Sequence, residues 1–250
     1  MSGWWIPLLV VAGVLAGMSG SIGGLASLFS YPALLLAGLA PTAANVTNAV
    51  ALVATTVGAA GGSRPELAGQ GRYIWKLCVV STLGGSAGAA LLLTTPPGVF
   101  EKVVPALIGG ASIALLLGPR LRRAGGDAHR AGVGTQLLVF LISVYSGYFG
   151  AAAGVLMLAV LLAISQQTLA RTNAAKNLIC GASNGVAALI FALIGPVHWV
   201  AAVSLAAGSL AGGWLGPWVV RRLPAGPLRV GIALAGLALA GKLAFDAFQA

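Results

Sequence analysis

The chain has 250 residues, of which 58% are hydrophobic and 7% are charged, and its mean hydropathy is +0.97. This composition excludes a water-soluble domain, which could not cover so much apolar surface, and indicates an integral membrane protein. The net charge of +10 does not indicate nucleic-acid binding, because the basic residues lie mainly in short connections between apolar runs, where they set membrane topology. Cys78 and Cys180 lie inside apolar segments, so neither a disulfide nor a metal site nor a cofactor is expected.

Apolar runs separated by helix breakers predict ten segments along the chain. They span residues 4–18, 25–39, 42–61, 73–95, 98–118, 132–149, 151–164, 169–194, 197–220 and 227–248. A membrane crossing takes about 20 residues, so the second and seventh segments are too short to cross comfortably. The sequence therefore predicts an all-α polytopic membrane protein with about eight full transmembrane helices and short broken or re-entrant helices in each half.

Basic residues mark three of the connections between segments. Their positions are Arg64, Arg72 and Lys76, then Arg120, Arg122, Arg123 and Arg130, and finally Arg221, Arg222 and Arg229. The positive-inside rule places these connections in the cytoplasm and, by counting crossings, both termini on the opposite side. A removable signal peptide is not expected, because the first basic residue is Arg64. The predicted organisation is a first transmembrane repeat over 1–118, a basic cytoplasmic loop over 119–131 and a second repeat over 132–250.

The two halves carry the same landmarks in the same order. SGSIGGLASLFSYPALLL (19–36) aligns with SGYFGAAAGVLMLAVLLA (146–163), and TNAV (47–50) aligns with TNAA (172–175). Five segments precede the central loop and five follow it, so the halves run through the membrane in opposite senses. This is the arrangement of an inverted repeat.

Each half breaks its own helix in the repeated stretch, at Gly23 and Gly24 and again around Gly150. Unsatisfied backbone groups cost several kcal/mol in hydrocarbon, so broken helices persist only where protein or a water-filled cavity satisfies them. The repeated break predicts a substrate site near the midplane, where half-helix N-termini present N–H groups to an anion. The alternative is that these glycines only allow close helix packing, which is the favoured interpretation for the runs 84–90 and 208–216.

Polar residues inside apolar segments are the other candidates for the site. Lys176 lies seven positions into its segment, and an intramembrane cation is a functional candidate unless it snorkels to the interface. Asn48 and Asn173 follow threonines at matching points of the two halves and are predicted to donate to substrate oxygens, with helix capping or interhelical bonding as the alternative. The complete set of predicted substrate-binding residues is Gly20, Ser21, Gly23, Gly24, Thr47, Asn48, Gly147, Gly150, Arg171, Thr172, Asn173, Lys176 and Asn177.

These stretches resemble the TauE/SafE sulfite exporter family, also called the toluene sulfonate uptake permease family. The resemblance rests on GSIGGLASLFSYP (20–32) and PTAANVTNAVAL (41–52) in the first half and on GYFGAAAGVLMLAVLL (147–162) and ARTNAAKNLI (170–179) in the second. It implies a secondary transporter of the bacterial inner membrane for small anions, often sulfite or organosulfonates such as sulfoacetate. The expected partners are thus a small anionic substrate and the lipid bilayer, and proton coupling and a homodimer are both compatible with the sequence.

Two other classes of function are weighed against a carrier. An anion channel or a non-transporting membrane scaffold would have the same apolar segments, and saturable flux would separate a carrier from both. GMSG (17–20) and AHRAG (128–132) fit motifs of rhomboid intramembrane proteases, but His129 lies in the most charged loop rather than beside a membrane serine. The sequence therefore favours a transporter over an enzyme.

Overall fold

The computed structural model describes residues 4–113 except 97, 101, 108, 111 and 112, residues 133–220 except 166, and positions 234, 237, 238, 241 and 245. The regular structure in these ranges is helical throughout, as predicted. The helices are α1 (Trp5–Gly23), α2 (Ser27–Leu36), α3 (Pro41–Gly62), α4 (Arg64–Leu67), α5 (Gly71–Thr94), α6 (Val133–Tyr148), α7 (Ala153–Ile164), α8 (Leu169–Ile194) and α9 (Trp199–Val220). The predicted basic loop 119–131 lies outside the described residues, as does most of segment 227–248.

Five of the described helices, α1, α3, α5, α8 and α9, are long and apolar enough to cross a membrane. Large apolar side chains on these helices face outward, and Val57, Leu83 and Val203 are each at least 60% exposed. An apolar surface of this extent is unfavourable in water but favourable in contact with lipid. The chain is therefore a multi-pass membrane protein.

The short segments predicted in each half are α2 and α7, with 10 and 12 residues. At 1.5 Å per residue they reach roughly half of the 30 Å hydrocarbon core. The predicted end of the first segment at residue 18 is wrong, because α1 continues to Gly23 and has 19 residues. Gly13 and Gly17 do not interrupt it, because they pack against the backbone of α9.

Reciprocal glycine contacts hold the long helices together. A Cβ atom on Gly13 of α1 would overlap the Leu205 carbonyl of α9, and one on Gly208 of α9 would overlap the Val10 carbonyl of α1. Equivalent contacts join α3 to α9 and α5 to α6, through Gly58, Gly213, Gly84 and Gly88. The glycine runs at 84–90 and 208–216 thus serve close packing, as the sequence indicates.

The helices form two bundles that each combine early and late parts of the chain. In the first bundle α1 and α3 pack against α9 and carry α2 between them, and in the second bundle α5 packs against α6 and α8, which carry α7. The bundles meet chiefly where α3 packs on α8. Both short helices therefore lie next to the interface between the bundles.

Hydrogen bonds at the two ends of the molecule show the relative direction of α3 and α8. At one end the Arg171 guanidinium donates a 2.8 Å hydrogen bond to the carbonyl of Ala68, which joins the start of α8 to the connection after α4. At the other end the backbone N–H of His198 donates to Thr47 Oγ1 over 3.0 Å, which joins the connection after α8 to the start of α3. Helices α3 and α8 consequently run in opposite directions past each other.

Candidate functional site

Helices end at both breaks that the sequence predicts. Helix α1 is capped by Gly24, which has φ 76° and ψ 34°, and the residue after α6 and Phe149 is Gly150, which also has φ 76°. Both values lie in the left-handed region, which glycine enters without the Cβ clash of other residues. Ala152 enters the same region with φ 56° immediately before α7, so the second break carries backbone strain that the first does not.

The two breaks meet in the middle of the protein. A Cβ atom on Gly24 would overlap the backbone of Gly154, the second residue of α7, and one on Gly154 would meet Gly24 in turn. The same glycine thus ends α1 and allows the start of α7 to approach. For Gly24, the packing and break interpretations are therefore both correct.

A cavity of about 60 Å³ lies between the breaks and the α3–α8 interface. The starts of both short helices open onto it, as do the middle turns of α3 and α8. Its lining is Gly20, Gly24, Ala26, Ser27, Leu52, Thr55, Thr56, Ala59, Ser146, Gly150, Ala153, Gly154, Lys176, Asn177, Cys180 and Asn184. None of these lining residues is acidic, so Lys176 gives the described wall of the cavity a single formal charge.

Lys176 is the buried cation of this cavity. Only 1% of the residue is exposed, and its Nζ donates a 3.1 Å hydrogen bond to the carbonyl of Gly20 in the last turn of α1. That carbonyl also accepts the backbone N–H of Gly24 over 2.7 Å, so the ammonium is its second donor. Because the ammonium ends inside the protein, the alternative in which Lys176 snorkels to the membrane interface is wrong.

Asparagines on the long helices bind the freed carbonyls at both breaks. Asn173 and Asn177 of α8 donate to the Ser21 carbonyl over 2.8 and 3.2 Å. Asn45 of α3 donates to the Tyr148 carbonyl at the end of α6 over 2.9 Å. The membrane interior offers no water to these carbonyls, so the amides make the breaks tolerable. They also tie the first bundle to the second.

That Asn48 and Asn173 donate to a substrate stays a prediction, and the structure gives both amides partners within the protein. Asn48 Nδ2 donates to Ser27 Oγ over 3.1 Å, Asn173 donates to Ser21, and neither residue belongs to the cavity lining. The physical reason is that the broken helices need donors for their own polar groups before any substrate arrives. Interhelical bonding, which was the alternative, describes both residues.

The structure brings some of the predicted residues together and leaves others apart. Those that line the cavity are Gly20, Gly24, Gly150, Lys176 and Asn177, whereas Ser21, Gly23, Thr47, Asn48, Gly147, Arg171, Thr172 and Asn173 do not. Arg171 binds Ala68 and Gln167 at the end of the molecule, and Gly147 packs on the Gly85 carbonyl. Thr172 donates to its own helix, at the Thr168 carbonyl.

Several polar lining residues are not among the predicted substrate-binding residues. Helical spacing places Asn184 on the same face of α8 as Asn177, seven residues earlier, and Cys180 follows Lys176 by four residues on that helix. Asn184 Oδ1 accepts a 2.9 Å hydrogen bond from Ser146 Oγ, which holds α6 to α8. Thr55 follows Thr47 by eight residues, just as Cys180 follows Thr172, so the repeat itself carried a signal for that pair.

Comparison with known proteins identifies the family. The sulfite exporter TauE/SafE family model matches residues 9–243. A probable membrane transporter protein of Haemophilus influenzae is 24% identical, covering 96% of this chain and 95% of its own. The probable membrane transporter protein YfcA of Escherichia coli K12 is 26% identical, with 96% and 90% covered, and ORF9 of Sinorhizobium sp. is 25% identical, with 96% and 93% covered. No solved structure matches. Because the family model spans nearly the whole sequence, the chain belongs to the sulfite exporter TauE/SafE family.

Proposed function

We propose that this protein is a secondary membrane transporter of small anions and that the anion binds in the cavity beside Lys176. The observation that carries the proposal is a fully buried ammonium in a cavity whose described lining contains no carboxylate. A buried charge without a counter-ion is costly, so a site that keeps one is suited to a ligand of opposite charge. The names of the relatives, probable membrane transporters, support transport as the activity.

The starts of the two short helices add to the attraction for an anion. Ser27 and Ala153 are the first residues of α2 and α7, both line the cavity, and neither N-cap position makes a side-chain capping bond. Some of the first N–H groups donate to carbonyls of the preceding turn, as Ala153 does to Gly150 over 3.3 Å, but the helix dipole still places partial positive charge at these starts. Such termini are ready-made sites for the oxygens of an anion.

The Lys176–Gly20 hydrogen bond provides a resting partner for the ammonium when the cavity is empty. The Gly20 carbonyl carries only the partial negative charge of a helix C-terminus, so a full negative charge is a stronger partner. An arriving anion would therefore compete for the ammonium and loosen one bond between α8 and α1. Binding is in this way coupled to the contact between the two bundles.

Transport follows if the bundles move relative to each other around the occupied cavity. The proposed organisation is an inverted repeat, 1–118 against 132–250, joined by the cytoplasmic loop 119–131 in the bacterial inner membrane. Discontinuous helices at matching positions of such repeats are where alternating-access transporters bind their substrates. A channel is the alternative, and saturable flux would separate a carrier from it.

Binding to purified protein in detergent tests the proposal. Sulfite, sulfoacetate and acetate would each be titrated by isothermal calorimetry, with choline as a cationic control. The expected result is saturable binding of one anion per chain, with a sulfur oxyanion preferred and choline not bound. Binding of choline with no binding of any anion would contradict the proposed polarity of the site.

A further inference from the structure

Thr55 has a buried hydroxyl that the protein itself does not use. The residue lies on α3 in the cavity wall and is 7% exposed, and its Oγ1 has no hydrogen-bond partner among the described residues. A threonine inside a helix commonly donates to the carbonyl four residues earlier, as Thr172 does over 3.1 Å, but Thr55 does not. Because a buried polar group without a partner is costly, this hydroxyl calls for a ligand.

The Thr55 side chain and Lys176 adjoin the same residue of α1. A Cβ atom on Gly20 would lie 3.3 Å from the Thr55 methyl group, Cγ2, and the Gly20 carbonyl accepts the Lys176 hydrogen bond. Thr55 belongs to the first bundle and Lys176 to the second, and both line the cavity. One ligand in the cavity can therefore be reached from both bundles.

We propose that Thr55 is an anion-binding residue, whose hydroxyl donates to one oxygen of the ligand while the Lys176 ammonium binds another. The inference rests on the proposed function, since it concerns the same cavity. It assigns the first bundle its own side-chain donor to the ligand, a role that Asn48 does not fill because it lies outside the cavity lining. A compact oxyanion with separate oxygen acceptors satisfies both groups at once.

If the Thr55 hydroxyl binds the anion, its removal should weaken anion binding without lowering stability, whereas removal of a structural hydroxyl should lower stability. Valine has nearly the shape of threonine but no hydroxyl, so Thr55→Val removes an unpartnered donor without opening a cavity. The ligand-free variant should unfold at the same temperature as the wild type or higher, because a buried polar group without a partner is lost. A hydroxyl that served only the fold would lower the unfolding temperature when removed.

The test compares Thr55→Val, Thr55→Ser and the control Thr42→Val, with sulfite and sulfoacetate titrated into full-length protein. Thr42 Oγ1 is also buried without a partner among the described residues but lies outside the cavity lining, so it matches the chemistry of the change. We expect at least roughly tenfold weaker binding for Thr55→Val, because it removes a hydrogen bond to a charged ligand. Thr55→Ser should stay within about threefold of the wild type, because it keeps the hydroxyl. Thr42→Val should bind unchanged.

The outcomes distinguish this inference from the function on which it rests. If the wild type binds an anion and Thr55→Val binds it equally well, the hydroxyl serves only bound water and the inference is overturned. If Thr55→Val loses binding together with a large fall in unfolding temperature, the hydroxyl is structural and the inference is again overturned. If the wild type binds neither anion, the proposed function fails first, and the role of Thr55 fails with it.

Discussion

Replacing Lys176 by glutamine removes the only formal charge from the described wall of the cavity while keeping a side chain of similar length. An anion about 4 Å from an ammonium interacts with it by about 4 kcal/mol at an effective dielectric constant of about 20. Desolvation of both ions offsets part of this, and the N–H groups of α2 and α7 remain. We therefore expect a net loss of about 2–3 kcal/mol, which weakens anion binding roughly 30- to 160-fold.

Calorimetry on purified variants measures this loss directly. Lys176→Arg keeps the charge but puts a planar fork into a cavity of about 60 Å³, so its affinity should fall between those of the wild type and Lys176→Gln. Lys76→Gln is the matched control, because Lys76 is exposed and outside the lining. Unchanged affinity in Lys176→Gln would refute the reasoning and move the anion away from α8.

Three further predictions test the breaks, their donors and the topology. Gly24→Ala should unfold at a lower temperature than Gly38→Ala. Both positions have positive φ, but an added Cβ atom would meet the backbone of another helix only at Gly24 and would find open space at Gly38. Equal losses would show that the contact between the breaks is unimportant. The double change Asn173→Ala with Asn177→Ala should lower the unfolding temperature by more than the sum of the single changes, because either amide alone still donates to the Ser21 carbonyl. Simple additivity would mean that the two amides act separately. Reporter fusions should place both termini in the periplasm, whereas a cytoplasmic C-terminus would exclude the inverted arrangement.

The sequence was most informative about features that depend on one residue and its neighbours along the chain, such as helix ends. Glycines at matching points of two apolar stretches predict helix ends whatever the tertiary structure, and α1 does end at the Gly23–Gly24 pair. Lys176 could be identified as a site candidate because a cation deep in an apolar segment is energetically costly and is usually retained for function. Both signals depend on the residue itself and on its distance along the chain.

Partner identity was beyond the sequence, because many donors compete for each acceptor. Asn48 and Asn173 occupy matching positions, yet one binds a side chain and the other a backbone carbonyl of α1. Which amide faces the cavity depends on how α3 packs on α8, and small-residue runs specify close packing without specifying the partner helix. Thr55 was missed for a related reason, since an unpartnered hydroxyl can be recognised only when its surroundings are known.

Uptake into proteoliposomes tests the central claim, that an anion is carried through the cavity beside Lys176. Radiolabelled sulfite would be offered to vesicles containing wild-type protein, Lys176→Gln or Lys76→Gln, with unlabelled sulfite inside to allow exchange. We expect saturable uptake that internal sulfite accelerates, retained in Lys76→Gln and lost in Lys176→Gln. Equal, saturable uptake by Lys176→Gln would contradict a site at Lys176, and uptake that rises linearly with concentration would contradict a carrier.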